Sequence, residues 1–149
     1  MNLESKITIA LKDAMRNKDQ DSLVALRAIK SAIILHKTQK SSSDKLLEVD
    51  EIKILQKLVK QRKESADIYL KQNRNDLAKN ELNEAKVIQQ FLPKSLSEDE
   101  VKEIVKSIVD EIGAKDMKDM GNVMGLSTKK LMGRADGKMI SSIVREFLS

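Results

Sequence analysis

From Met1 to Leu92 the chain contains neither glycine nor proline, and Pro93, directly after, is the only proline among 149 residues. A stretch that long without either residue has few natural exits from helical backbone, so its turns must be made by short polar clusters between helical segments. Pro93 removes a backbone donor and biases Leu92 away from helical dihedrals, so the helix running into Phe91-Leu92-Pro93 is predicted to stop at Leu92. Just beyond, Ser97 and Glu100 form a capping box ahead of Val101 and Ile104. The Ser97 oxygen accepts from a free first-turn N–H while Glu100 reaches back to the Ser97 amide, and a new helix is predicted from Glu98. Composition changes at the same point. Residues 1–92 carry 18 Lys/Arg against 13 Asp/Glu, a net +5, whereas residues 93–149 carry 10 of each, a net 0, and hold all 5 glycines. Two modules are expected, 1–92 and 93–149, with Pro93 as the stiff hinge between them.

With 2% aromatic residues and no tryptophan, the cores must be built from Ile, Leu, Val, Met and Ala, which favours helix packed on helix. The absence of cysteine excludes disulfides, thiol catalysis and cysteine-based zinc or iron–sulfur sites. Met1-Asn2-Leu3-Glu4-Ser5-Lys6 has no basic region with a long apolar run behind it, and no stretch approaches about 18 consecutive apolar residues, so a cytoplasmic protein with no membrane partner is expected. Net +5 and a pI near 9.3 permit attraction to a polyanion. A mixed-sign surface with 34% charged residues is also ordinary, so where the charge sits decides more than its sum.

Leu3, Ile7, Ala10, Leu11, Ala14 and Met15 predict a first helix over 3–17, and Asn17 to Asp21 a polar turn. From Ser22, Leu23, Leu26, Ile29 and Ile33 form a second stripe ending near His36, the only histidine, which is read as a C-terminal residue favoured by the helix dipole rather than as a catalyst or ligand. Lys40 to Asp44 is a predicted loop. A third helix from about Leu47 or Asp50 towards Asn73 uses Val49, Ile52, Leu55, Leu58, Val59, Ala66 and Tyr69. After a cap drawn from Asn73 to Asp76, a returning helix uses Leu77, Ala78, Leu82, Ala85 and Ile88, the two making a long antiparallel hairpin. Lys57, Lys60, Arg62 and Lys63 form a basic ridge on it, a secondary candidate for phosphates, with Lys60–Glu64 and Lys63–Asp67 as expected neutralising pairs.

The smaller module is expected to hold three helices. Val101, Ile104, Val105, Ile108, Val109 and Ile112 face one way, with Gly113 closing the helix. Gly121 and Gly125 share one side of the next, Gly133 ends it, and Asp136 caps the last, whose buried side is Met139, Ile140, Ile143, Val144, Phe147 and Leu148. Around the bend at Gly133 lie Lys129, Lys130, Arg134 and Lys138 against Asp136. A module neutral overall therefore concentrates positive charge at one loop, where these side chains and helix-start N–H groups can hold phosphates. No Gly-rich phosphate loop preceded by a strand is present, the methionines sit at core spacing, and no Ser–His–acid set, paired carboxylates or zinc spacing can be assembled. Catalytic residues, metal ligands and cofactors are accordingly not expected.

Several segments in this order carry a family likeness: Arg27, Lys30 and Ser31; Lys60-Gln61-Arg62-Lys63-Glu64-Ser65; Phe91-Leu92-Pro93; Asp119-Met120-Gly121-Asn122-Val123-Met124-Gly125; and Lys130-Leu131-Met132-Gly133-Arg134-Ala135-Asp136-Gly137. Across essentially its whole length the chain resembles the YqeY family, small bacterial proteins whose fold also forms the tail of the GatB subunit of glutamine-dependent aminoacyl-tRNA amidotransferase. The resemblance implies an all-α pair of modules, an N-terminal bundle and a three-helix C-terminal unit. It also implies that Gly121, Gly125, Gly133, Lys130, Arg134 and Lys138 lie where the amidotransferase tail approaches the tRNA elbow. The expectation is a non-catalytic binding module for structured RNA, tRNA first. The alternatives are an accessory tRNA-positioning component of a carbon–nitrogen ligase that uses glutamine as amido-N-donor, partnered by an amidotransferase or an aminoacyl-tRNA synthetase-related protein, and a protein-interaction adaptor using the basic hairpin.

Overall fold

A computed structural model of the protein describes residues 2–39 and 46–149; the predicted loop from Lys40 to Asp44 lies outside the described residues. Every regular element among them is helical: α1 (Leu3–Asn17), α2 (Gln20–Gln39), α3 (Glu48–Lys71), α4 (Asn75–Gln89), α5 (Glu98–Ile112), a 3-10 turn (Met117–Asp119), α6 (Met120–Lys130) and α7 (Gly137–Leu148). The chain separates into two compact units, one ending at Leu92 and the other beginning at Pro93.

In the first unit, α1 buries Leu3, Ile7, Leu11 and Ala14 against Leu23, Ala25, Leu26, Ile29 and Ile33 of α2. Leu55, Leu58 and Val59 of α3 and Ala85 and Ile88 of α4 complete the same core, with Phe91 and Leu92 packed on its edge. Farther along the α3–α4 pair, the contact positions are alanines, Ala66 and Ala78, both fully buried, which lets the backbones come close. The core thins there, and Ile68, Leu70 and Leu82 stay exposed.

The turns differ in detail from expectation, each for a local reason. α2 begins two residues before Ser22 because Asp19 caps it, its carboxylate accepting from the Ser22 amide at 3.2 Å and the Ser22 hydroxyl at 2.6 Å. Those two hydrogen bonds, the hydroxyl's first, hold the Asp19 carboxyl below its usual pKa. Between α3 and α4 the Asn-rich turn supplies a backbone conformation rather than a side-chain cap. Asn73 takes φ 60°, which asparagine tolerates better than most residues, and the Arg74 guanidinium instead bonds the Asp76 carboxylate at 3.2 Å. α4 ends at Gln89, short of Leu92. Its last turn tightens into i→i−3 bonds, Phe91 N–H to Ile88 O and Leu92 N–H to Gln89 O, both 3.1 Å, because Pro93 prevents the helix from continuing.

The second unit packs α5, α6 and α7 around Val101, Val105, Ile108, Val123, Leu131, Ile140, Ile143, Val144 and Leu148, with Leu96 against this core. Ser97 caps α5 through its Oγ, which accepts from the Glu100 amide at 3.2 Å and donates to the Glu100 carboxylate at 3.2 Å. Glu100 thus returns to the Ser97 hydroxyl, not to its amide. Gly113 closes α5 at φ 67°.

Candidate nucleic-acid interface

The C-terminal bend is built by two anchored helices. Val123, Ser127 and Leu131 recur every four residues and are fully buried, which fixes the rotation of α6. The opposite line, Gly121, Gly125 and Lys129, therefore faces out. A Cβ added at Gly121 or Gly125 would meet nothing within 4 Å, so no helix of this unit uses the smooth face the glycines create.

Past Lys130 the chain turns through Gly133 at φ 74°, left-handed backbone that a side chain disfavours. The turn is pinned on both sides: Arg134 N–H donates to Leu131 O at 2.9 Å, and Arg134 O accepts from Leu96 N–H at 2.8 Å. Asp136 then caps α7, accepting from the Lys138 amide at 3.3 Å.

On this hydrogen-bonded frame Lys129, Lys130, Arg134 and Lys138 are all exposed, and none makes an ion pair among the described residues. Asp136 is the only carboxylate in the bend from Lys129 to Lys138, and it occupies the α7 N-terminus, where one first-turn N–H is already engaged. A phosphate arriving there would meet that negative charge, which makes the helix-start amides a poorer anion site than the four cationic side chains around them.

One neighbour of the bend leaves little trace in the sequence. Lys129 and Lys130 border a groove of about 250 Å³ shared with Ile108, Glu111, Ile112 and Leu126, in which Ile112 is 42% and Leu126 46% exposed. Both apolar residues fall at the edges of otherwise regular stripes, and that is the one signal spacing offers.

The secondary basic set divides. Lys57, Lys60 and Lys63 are exposed, with Lys60 and Glu64 at 4.0 Å, a solvated pair worth little. Among the described residues no pair joins Lys63 to Asp67. Arg62 leaves the ridge altogether: its Nε lies 3.7 Å from the Glu84 carboxylate, with side chains 17% and 11% exposed. Burial pushes the Glu84 carboxyl above its usual range, Glu81 and Asp21 adding to the rise and Arg62 opposing it. His36 approaches Asp50 at 3.6 Å. Among the described residues there is no cluster of three metal-ligating side chains, and no helix is long and apolar enough to cross a membrane.

Comparison with known proteins adds a family and several relatives. A family model described as Yqey-like protein matches residues 4–148. The mitochondrial protein named altered inheritance of mitochondria protein 41 is 32% identical over 145 residues in Vanderwaltozyma polyspora, covering 92% of this chain and 77% of that one. An uncharacterized protein of Schizosaccharomyces pombe, C22F3.15, is 31% identical over 96 residues, covering 64% of this chain and 76% of its own length. A glutamyl-tRNA(Gln) amidotransferase subunit of Thermococcus gammatolerans is 48% identical over 54 residues, 34% of this chain, and the match spans 9% of that much longer protein.

Proposed function

The chain belongs to the YqeY family, and from that premise we propose that it is a non-catalytic binding module for structured RNA, tRNA first, engaged through the C-terminal bend. The observation that carries this reading is the set of four exposed cations, Lys129, Lys130, Arg134 and Lys138, none ion-paired among the described residues. They stand on a turn fixed by Gly133 and the Leu96–Arg134 hydrogen bond, in a unit whose net charge is zero. A-form RNA is read through shape, phosphates and 2′-hydroxyls. Long cationic side chains on a fixed turn suit that target, and the open face at Gly121 and Gly125 leaves room for a sugar–phosphate backbone. In this reading 1–92 and 93–149 act as separate modules, Pro93 is the hinge, α3 and α4 form an antiparallel hairpin carrying a secondary basic face, and the protein works in the cytoplasm.

Titrating a tRNA and a length-matched single-stranded RNA at two salt concentrations tests it. Saturable binding that favours tRNA and weakens with salt is expected; no saturable tRNA binding at low salt would overturn it.

A second reading is favoured by one observation, the similarity to a glutamyl-tRNA(Gln) amidotransferase component. Here the chain positions tRNA for a partner that supplies the carbon–nitrogen ligase chemistry, with glutamine as nitrogen donor. Co-purification from native cells with an amidase supports it, and complexes that lack one under mild lysis count against it.

A further inference from the structure

A groove of about 430 Å³ lies between the C-terminal half of α2 and the first half of α3, within the roughly 300–1,000 Å³ usual for small-molecule sites. Ala32 and Leu35 wall it on one side and Ile54 and Leu58 on the other. Lys53 and Lys57, one helical turn apart, line it as well; both are exposed and without an ion pair among the described residues. Two side-chain amides, Gln39 and Gln61, the imidazole of His36 and the carboxylate of Asp50 complete the lining among the described residues. The His36 Nε2 is shielded from solvent, 3.6 Å from the Asp50 carboxylate, and has no hydrogen bond among the described residues.

We propose that this groove is a pocket for a single nucleotide, its base slotted between the apolar walls and its phosphate held by Lys53 and Lys57. The chemistry favours this class over its competitors. A hydrocarbon chain with an anionic head would satisfy the lysines and the walls but leave the His36 Nε2, shielded from solvent, without a hydrogen-bond partner, a costly arrangement for a buried polar atom; the exposed amides of Gln39 and Gln61 would stay hydrated. A bare phosphate would use the lysines and waste the slot. A nucleotide uses every part: a flat apolar body, a hydrogen-bonding edge for the amides and imidazole, and a dianionic end for two ammonium groups. Among the described residues Asp50, beside His36, is the one carboxylate lining the groove.

This site is in a different unit from the bend and uses none of its four cations; it shares only Lys57 with the secondary basic face. The test is equilibrium dialysis of the full chain against AMP, adenosine, inorganic phosphate and octanoate. AMP should bind saturably and more tightly than the other three. Lys53→Ala with Lys57→Ala should weaken AMP by about tenfold or more, as expected for two charge-assisted contacts. Ile54→Trp should abolish binding by filling the slot; Leu35→Trp, at an exposed rim position, repeats the test where folding is not at risk. Replacing Lys130, Arg134 and Lys138 with Ala should leave AMP binding unchanged, which separates failure of this site from failure of the bend. The proposal is overturned if phosphate or octanoate binds as tightly as AMP, or if both tryptophan variants still bind it.

Discussion

Glu84 carries its carboxylate into the contact between α3 and α4, where it is 9% exposed, and its neighbours decide what charge it holds. Burial and the carboxylates of Glu81 and Asp21 raise its pKa while Arg62 opposes them. With the folded value above the unfolded one, the proton is bound more tightly in the native state. Glu84 therefore contributes most below the ordinary glutamate range, and that contribution is lost as pH rises through the raised value. At neutral pH Arg62 is what makes the buried carboxylate tolerable. Arg62→Ala should cost about 1–3 kcal/mol at neutral pH and distinctly less in acid solution below the ordinary glutamate range, where Glu84 is protonated in both proteins; urea unfolding at the two conditions checks this. Ser127 is the reverse case. Its hydroxyl is fully buried with no hydrogen-bond partner among the described residues, so Ser127→Ala should raise stability by about 1 kcal/mol, by removing an unsatisfied group and improving helix propensity. Neither effect is visible in one dimension. Arg62 sits among lysines in sequence and reads as one more of them, since only the path of α4 brings Glu84 opposite.

At the scale of elements, what is legible in the sequence is what is local. Ser97, Gly113 and Asp136 act within one turn of themselves, so their capping roles follow from spacing, and the buried lines of α5 and α7 follow from their 3.6-residue period, except at Ile112 and Phe147, which spacing places on those lines and the structure leaves exposed near the helix ends. Ends set by backbone tightening, as at Gln89, or by an unexpected cap, as at Asp19, differ from expectation by two or three residues. The fate of a face depends on what packs over it, and α6 is the example: spacing places Gly121 and Gly125 together, and only the structure shows the space beside them empty. Exposed glycines in a helix cost roughly 1 kcal/mol each relative to alanine, a cost no packing in this unit recovers. Gly121→Ala and Gly125→Ala should therefore raise the melting temperature while weakening tRNA binding. A rise in stability with binding unaltered would remove this face from the interface.

For the molecule as a whole, the apolar side chains sort into two cores, one reaching Phe91 and Leu92 and the other starting at Leu96. The segment between them holds Pro93 and the exposed Lys94 and Ser95. Limited proteolysis is predicted to cut between Leu92 and Ser97 and release an N-terminal fragment that circular dichroism finds helical; protection of the whole chain until global unfolding would show the halves folding as one. Charge divides along the same boundary: the first unit holds the excess and the second is neutral. A polycation acting without a site would bind RNA through the first unit, and a built site would bind through the bend. The decisive measurement compares tRNA titrations, over a range of salt, of two triple variants that remove equal charge: Lys130→Ala, Arg134→Ala, Lys138→Ala and Lys57→Ala, Lys60→Ala, Lys63→Ala, with circular dichroism verifying the fold of each. The bend variant should lose more affinity and flatten the salt slope by about 2 to 3, while equal losses, or a larger loss in the α3 variant, would contradict an RNA site at the C-terminal bend.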